Sequence, residues 1–181
     1  MGSALTAGCA LTAGCALTAL TAGPAWAGLQ WPATAAPSTG PGATAATASD
    51  SDLEVIGLDP DPAAPGGTTT VHAVVGNRGP DRTASPFTVV VTLPAGVTPE
   101  GPYFPENCAP FQDGHRVHCT FPAGLPALRS ATALIPVRLA RTVPAPGTLL
   151  GGWVSVRGDD DRNTSNDKQP FAIPVVETEI R

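Results

Sequence analysis

Residues 87–96 read FTVVVTLPAG, and this stretch decides the fold class. Its odd-numbered residues from Phe87 to Leu93 are large and apolar, whereas the residues between them are Thr and Val. Alternation with a period of two residues is the pattern of a β-strand that buries one face. The Pro-Ala-Gly turn at 94–96 then ends the strand. The stretch therefore predicts a short strand packed against a hydrophobic core.

Similar apolar runs recur on both sides of this stretch, separated by turns rich in Pro, Gly, Asp and Asn. They are residues 53–56, 69–75, 117–121, 133–139, 149–156 and 171–176. No segment shows the period of an amphipathic helix without a Pro or Gly inside it. Short strands at this spacing are typical of a β-sandwich or a β-barrel. We therefore predict an all-β fold for residues 52–177.

Composition and charge exclude several classes of protein. The chain carries 15 acidic and 10 basic residues, a net charge of −5, whereas a nucleic-acid-binding surface needs a basic patch. Pro (21 residues) and Gly (20 residues) interrupt the sequence too often for a coiled coil or a helical bundle. Hydrophobic residues make up 42% of the chain, which argues against a fully disordered protein.

The N-terminal part of the chain carries no charge before Asp50 and begins with an apolar segment. Residues 1–27 end in Ala-Trp-Ala, the A-x-A pattern that signal peptidase cleaves. We predict a secretory signal peptide there, with a true start upstream, because no Lys or Arg precedes the apolar stretch. A retained membrane anchor, and lipidation at Cys9 or Cys15, are the alternatives.

A spacer is predicted between the export segment and the folded domain. Residues 28–51 are almost entirely Ala, Thr, Pro, Gly and Ser, and such a sequence buries too little apolar surface to fold. The sandwich or barrel follows in residues 52–177, and residues 178–181 form a short tail. We expect a secreted or cell-surface protein, in contact with a membrane only if the N-terminal segment is retained.

Cys108 and Cys119 are the two cysteines of the predicted domain. An even pair in an exported chain is expected to be oxidised. Gln112-Asp113-Gly114 lies between them, and Asp-Gly is a strong turn signal, so the cysteines fall on the two arms of a hairpin. We predict a disulfide that closes a loop of about 12 residues.

Three motifs give the domain a family resemblance. They are Asn77-Arg78-Gly79-Pro80, the TLPAGV segment at 92–97 and the DRNTSND segment at 161–167. In this order and spacing they resemble the bacterial surface-repeat family known as domain of unknown function eleven, which is related to bacterial cell-adhesion-type domains. The resemblance implies an exported, immunoglobulin-like β-sandwich of about seven or eight strands, with a structural or adhesive role and no catalytic residues. Arg78 and Asp167 depart from the family, which commonly has Asn at both positions.

One polar segment is a candidate metal site. Asp159, Asp161 and Asn163 carry oxygen ligands at alternating positions, as in the first part of a calcium loop. The central Gly and the distal Glu of such a loop are missing. Calcium is therefore the cofactor to consider, and a loop whose Asp and Asn side chains bond their own backbone is the alternative.

One aromatic group is a candidate binding site. Tyr103, Phe104 and Phe111 flank the cysteine hairpin. Aromatic side chains near a loop can bind a sugar or a peptide. They can equally cover the open end of the sandwich, which is the simpler interpretation.

No sequence motif of a common catalytic site is present, so we predict that the protein is not an enzyme. The predicted function is that of an exported structural or adhesive module at or outside the bacterial cell envelope. Its expected partner is an unknown protein or glycan, and not a nucleic acid. A carbohydrate- or cell-wall-binding module and a calcium-dependent interaction domain are the alternatives.

Overall fold

All regular secondary structure in residues 49–177, the part that the computed structural model describes, is β-strand. The strands are β1 (Leu53–Ile56), β2 (Thr68–Asn77), β3 (Phe87–Thr92), β4 (Val97–Pro99), β5 (Cys108–Pro110), β6 (Arg116–Phe121), β7 (Ser130–Leu139), β8 (Gly147–Gly158) and β9 (Lys168–Val175). Over the same range no helix has the length and apolar character needed to span a membrane. The predicted signal peptide, nearly all of the predicted spacer and the predicted tail lie outside the described residues.

The strands form two antiparallel sheets with the core between them. One sheet has the order β1-β2-β7-β4, and the other has the order β5-β6-β3-β8-β9. This is the arrangement of an immunoglobulin-like sandwich whose second sheet is extended by two strands, although the chain reaches β4 before it adds β5 and β6. The predicted all-β fold is confirmed, and the sandwich rather than the barrel is its form.

The described residues form nine strands, whereas about seven or eight were predicted. The apolar pattern misses β4 and β5, which have three residues each. Each contains a single buried residue, Val97 in β4 and Cys108 in β5, so neither shows an alternation. Both strands follow from pairing with a longer partner, β7 for β4 and β6 for β5.

The core follows the predicted alternation. In β3, Phe87, Val89 and Val91 are at most 2% exposed, whereas the Thr and Val residues between them are half-buried on the outer side. Burial of one such side chain stabilises the fold by about 1.5–3 kcal/mol. A shift of one residue in strand pairing would expose the whole buried row, so the core fixes the register of the sheets.

A β-bulge interrupts β8 opposite β9, between Leu149 and Gly152. Gly151 has a φ of +94°, a conformation that side chains other than glycine rarely adopt. A Cβ at Gly152 would lie 2.5 Å from the ring of Phe171. Beyond the bulge β8 alternates regularly between buried and outward residues, which decides the side chains that reach the outer surface of this sheet.

The strand β9 forms one edge of the five-stranded sheet. On its outer side the N–H group of Ala172 donates to Asp59 Oδ1 (2.9 Å), and that of Val176 donates to the carbonyl oxygen of Ala63 (3.1 Å). The alternating positions 170 and 174 are occupied by proline, which has no N–H group. The row of positions from 170 to 176 therefore has no unbonded donor on this edge.

Candidate functional site

One end of the sandwich collects most of the bonded polar side chains. We call it the polar end, and it consists of the chain before β1 (49–52), Asn77 and the β2–β3 loop (78–86), the β6–β7 loop (122–129) and the β8–β9 loop (159–167). These segments lie far apart in the sequence. Side-chain hydrogen bonds between them hold the loops together.

Asn77, the last residue of β2, is fully buried at the centre of the polar end. Its amide group donates to the carbonyl oxygens of Asp81 (2.7 Å) and Leu125 (3.0 Å). Its amide oxygen accepts from the N–H groups of Asp52 (3.3 Å) and Gly79 (3.0 Å). All four hydrogen-bonding positions of this side chain are therefore used, and one residue joins three segments of the chain.

Gly79 stands where two segments pass too closely for a side chain. A Cβ at this position would lie 2.3 Å from the carbonyl oxygen of Asp50 and 2.7 Å from the amide nitrogen of Asp52. Together with Asn77, this close approach explains in physical terms why the Asn-x-Gly-Pro motif occurs at the end of β2. The motif closes the polar end and carries no reactive group.

Asp160 joins the β8–β9 loop to two other segments. Its carboxylate accepts hydrogen bonds from the hydroxyl groups of Ser51 and Ser85 and from the N–H group of Ala84 (2.6 Å). Burial alone would raise the pKa of Asp160, but the hydrogen bonds from Ser85, Ala84 and Ser51 outweigh it and lower the pKa to about 2. The carboxylate is therefore ionised at neutral pH and serves as a permanent acceptor.

Asp161 and Asp167 form a carboxyl pair at the base of the same loop. Burial and the hydrogen bond with Asp161 raise the pKa of Asp167 to about 7, and the negative charges of Asp161 and Asp52 add to the effect. Among the described residues, Asp161 Oδ2 and Asp167 Oδ1 are buried and have no other hydrogen-bond partner. A proton held on Asp167 and shared with Asp161 accounts for both atoms.

The predicted calcium ligands Asp159, Asp161 and Asn163 lie in this loop. Asp161 Oδ1 accepts from the N–H groups of Leu53 (3.3 Å) and Asn163 (3.1 Å), and Asn163 Oδ1 accepts from the hydroxyl group of Ser165 (2.7 Å). Within residues 49–177 no three Asp, Glu, His or Cys side chains are arranged to hold a metal ion. Calcium binding stays a prediction, and a calcium-dependent shift of the melting temperature is its test.

A disulfide joins Cys108 and Cys119, with the two Sγ atoms 2.09 Å apart. The cysteines are directly paired residues of β5 and β6, and both side chains face the core. The hairpin turn between these strands contains Gly114 with a φ of +68°. The disulfide prediction is thus confirmed, and the bond ties the edge strand β5 to the rest of its sheet.

The three aromatic residues predicted to bind a ligand are divided between the two sheets. Tyr103 is half-buried against the core, and Phe104 is 59% exposed where its backbone pairs with β7. Phe111 lies on the β5–β6 hairpin, where its ring meets the edge of the His118 ring with centroids 4.9 Å apart. The guanidinium group of Arg116 lies 4.5 Å from the centroid of Phe111. Ligand binding by these three residues stays a prediction.

The outer surface of the five-stranded sheet is basic. Strand register brings together Arg116 and His118 of β6, Arg157 of β8 and Lys168 of β9. We call these four residues, with Trp153 of β8, the cationic face. The outward positions of β3, β6, β8 and β9 carry no Asp or Glu, although the chain as a whole has a net charge of −5.

A shallow groove of about 750 Å³ crosses the cationic face. Exposed Arg116, Arg157 and Lys168 lie along its rim. Its half-buried floor is formed mainly by residues with hydroxyl or small apolar side chains: Thr88, Val90, Thr92 and Ser155. Beside it, the ammonium group of Lys168 lies 4.3 Å from the ring centroid of Trp153, within the range of a cation–π interaction.

Sequence reasoning misses the cationic face. The only local signal is that the segments RVH at 116–118 and WVSVR at 153–157 place basic residues at alternating, outward positions. These segments lie side by side only because of the register in which β6, β3 and β8 pair. Contacts between the strands set that register, so it cannot be read from any single segment.

Comparisons with known proteins give no family for this chain. No family model matches the sequence, and no curated protein matches it either. A variant of BcpA, the major pilin subunit of Bacillus cereus, is 13% identical, with a TM-score of 0.48 over 71% of this chain and 40% of the pilin.

Two further solved structures show a similarity of the same low level. The third cohesin of ScaC from Acetivibrio cellulolyticus, solved in complex with the ScaB dockerin, is 11% identical, with a TM-score of 0.49 over 68% of this chain and 99% of the cohesin. AvmM, which catalyses macrocyclization in alchivemycin A biosynthesis, is 12% identical, with a TM-score of 0.37 over 74% of this chain and 92% of the enzyme. Similarity at this level of identity and TM-score does not indicate a function for this chain.

Proposed function

We propose that this protein is an exported, non-catalytic module with a structural or adhesive role at or outside the bacterial cell envelope. The observation that carries the proposal is the disulfide between Cys108 and Cys119 in an all-β sandwich. Disulfides persist in oxidising compartments and are rare in the cytoplasm. This agrees with the signal peptide predicted for residues 1–27.

The structural role of Asp160 and Asp167, the two carboxyl groups with shifted pKa values, supports the non-catalytic part of the proposal. The pKa of Asp160 is lowered and that of Asp167 is raised, and such shifts often mark a catalytic group. Both groups, however, hydrogen-bond within the polar end, and structural networks of this kind shift pKa values as well. Holding the loops accounts for both shifts without a reaction.

The family resemblance is also part of the proposal. Two of the motifs that carry it meet in the polar end through Asp52. The N–H group of Asp52 donates to Asn77 of the first motif, and its carboxylate accepts from Asn166 of the second. The two motifs, although distant in sequence, therefore meet in one hydrogen-bond network, and membership of domain of unknown function eleven stays a proposal that rests on the resemblance of the motifs.

Fractionation of the source cells followed by mass spectrometry tests the proposed function. We expect the chain in the envelope or the culture supernatant, cleaved after Ala27, with Cys108 and Cys119 joined. A variant with Ala27→Arg should accumulate uncleaved, because signal peptidase requires a small residue there. An intact chain with reduced cysteines in the cytoplasm of the unaltered strain contradicts the proposal.

A further inference from the structure

The cationic face stands out because two of its three Arg and Lys side chains have no ion pair within the described residues. Among residues 49–177, neither Arg157 nor Lys168 has a carboxylate within ion-pair distance, and only Arg116 is paired, with exposed Asp113 at 2.6 Å. Asp167 also lines the groove, but burial and Asp161 raise the pKa of its carboxyl to about 7 and outweigh the lowering effect of Arg157, so its negative charge is incomplete at neutral pH. Unpaired cations in an acidic protein favour an anionic ligand.

The cations of the opposite sheet provide a comparison within the same domain. Arg78 is bonded to Glu54, and Arg138 is bonded to Glu100 at 3.0 Å. These pairs are exposed, so they contribute little to stability, but they neutralise the charge of that surface locally. Within the strands of the described residues, Arg and Lys side chains without an ion pair therefore occur only in the five-stranded sheet, whereas the other unpaired arginines, Arg82, Arg129 and Arg141, lie in loops.

The groove is a surface on which a ligand can be held only by side chains. β3 and β8 are inner strands that pair on both sides, so their backbone groups are used in the sheet. What the groove offers is hydroxyl groups on its floor, the indole ring of Trp153 beside it, and cations on its rim. Recognition by added strand pairing, the usual way in which a sandwich binds an extended peptide, is not available on this surface.

The cations are spread apart and do not converge on one point. Arg116 and Lys168 lie on β6 and β9, which are three strand spacings apart, or roughly 14 Å. Arg116 and Arg157 pair with Thr92 and Thr88 of β3, so they are offset by four residues, or roughly 13 Å, along the strand direction, and they are also two strand spacings apart across the sheet. Arg157 and Lys168 lie on neighbouring strands with an offset of two residues, so a compact anion can reach these two. A chain with charges at intervals can reach Arg116 as well.

We propose that the cationic face binds an anionic polysaccharide of the cell envelope, whose carboxylate or phosphate groups lie at intervals along the chain. This inference rests on the proposed export of the protein and names the class of its partner. Arg116, Arg157 and Lys168 contact the anionic groups, Trp153 packs against a sugar ring, and the hydroxyl groups of Thr88, Thr92 and Ser155 bond to the sugar hydroxyls.

Affinity measurements with the full chain at 50 and 200 mM salt test this inference. The probes are polygalacturonate, which carries carboxylates, a glycerol-phosphate wall polymer, which carries phosphates, uncharged dextran, and poly-glutamate as an acidic polypeptide. The variant is Arg157→Gln/Lys168→Gln. The matched control is Arg78→Gln/Arg138→Gln, which also removes two positive charges, but from the opposite sheet.

We expect at least one charged polysaccharide to bind in preference to dextran and to poly-glutamate, more weakly at the higher salt concentration. The cationic-face variant should bind that polysaccharide about tenfold more weakly, or about 1.4 kcal/mol, and the control within about twofold of the unaltered chain. Trp153→Ala should weaken binding without changing its salt dependence. The two charged probes distinguish a carboxylated from a phosphorylated polymer.

Three results overturn the inference. They are the absence of binding to both charged polysaccharides, an equal loss in the cationic-face variant and in the control, and tighter binding to poly-glutamate, which would identify an acidic protein as the partner. Each leaves the proposed function intact if fractionation finds the cleaved, disulfide-bonded chain outside the cytoplasm. A reduced cytoplasmic chain removes the proposed function whatever the chain binds in solution.

Discussion

The polar end bonds Asn and Asp side chains within the fold, whereas the cationic face exposes its Arg and Lys side chains. At the polar end, Asn77 is fully buried with every hydrogen-bonding position used, and Asp160 accepts from two other segments. On the cationic face, Arg157 and Lys168 point into solvent without a carboxylate partner in residues 49–177.

This difference indicates which polar groups are available to bind a partner molecule. A group that is buried and bonded inside the fold stabilises it, and using that group for a ligand would first require breaking those bonds. An exposed cation without a partner adds little to stability and is free to bind. Substitutions at the polar end should therefore change stability, and those on the cationic face should change binding alone.

The largest expected effect is that of Asn77→Leu. The substitution removes four hydrogen bonds and leaves two carbonyl oxygens and two N–H groups, one of them on buried Gly79, to find other partners, so we expect a loss of about 3–5 kcal/mol in the free energy of unfolding. Urea denaturation measures it. Asn163→Ala, in an exposed position, is the control, and a similar loss in both variants would contradict the central role of Asn77.

Removal of the disulfide comes next. Cys108→Ala/Cys119→Ala opens a loop of about 12 residues, and the chain-entropy relation gives a loss of about 3 kcal/mol. The hairpin that carries Arg116 and His118 should loosen, so the cationic face should weaken together with stability. Thermal unfolding of the variant and of the reduced unaltered chain measures the effect, and equal melting temperatures with and without reductant would refute it.

Asp160→Asn tests how the stability of the polar end depends on pH in the acidic range. Because the pKa of Asp160 is lowered to about 2 in the folded state, its contribution to stability is present above the unfolded pKa of 3.8 and is lost as pH falls toward 2. With an allowance for solvent screening, we expect about 1–2 kcal/mol at pH 7. The variant should lose this stability at pH 7 and show a smaller loss on acidification than the unaltered chain. Asp159→Asn, a change at an exposed neighbour, should behave like the unaltered chain.

Asp167→Asn should produce the opposite pH dependence. The pKa of Asp167 is raised to about 7, so the folded state is favoured below the unfolded pKa of 3.8 and loses this stabilisation as pH rises through 7. Asp167 is partly exposed, so screening should limit the loss to about 1 kcal/mol. The variant should remove the decline in melting temperature between about pH 4 and pH 7. An unchanged decline would mean that the carboxyl pair does not share a proton.

The smallest expected effect on stability is that of Arg157→Gln/Lys168→Gln. These side chains are exposed and make no ion pair in the described part of the chain, so we expect a change of less than about 0.5 kcal/mol in either direction. The comparison between the two regions would fail if this variant were destabilised as strongly as Asn77→Leu.

Local sequence patterns predict the core strands and the disulfide. The alternation from Phe87 to Val91 is sufficient to assign β3 and its buried side, because burial on one face imposes a period of two residues. The Cys108–Cys119 pair follows from the turn between them and the expected compartment. In both cases the interacting residues are close in sequence or share one repeating environment.

Contacts between distant segments cannot be predicted in this way. Asn77 bonds to Leu125 across 48 positions, and Asp160 bonds to Ser51 across 109, so no local pattern marks them. The sequence presents Asp159, Asp161 and Asn163 as alternating ligands, whereas Asp161 instead accepts from the backbone of β1. The cationic face likewise depends on a register that three strands determine together.

The outer side of β9 has a consequence for how copies of this protein can associate. Two N–H groups on that side are bonded to Asp59 and Ala63, and the two positions between and before them are proline. An exposed strand edge is the usual starting point for aggregation and for exchange of strands between molecules, and here positions 170 to 176 offer no N–H donor to an incoming strand. Pairing of two copies through this part of β9 is therefore disfavoured even when the copies are close together.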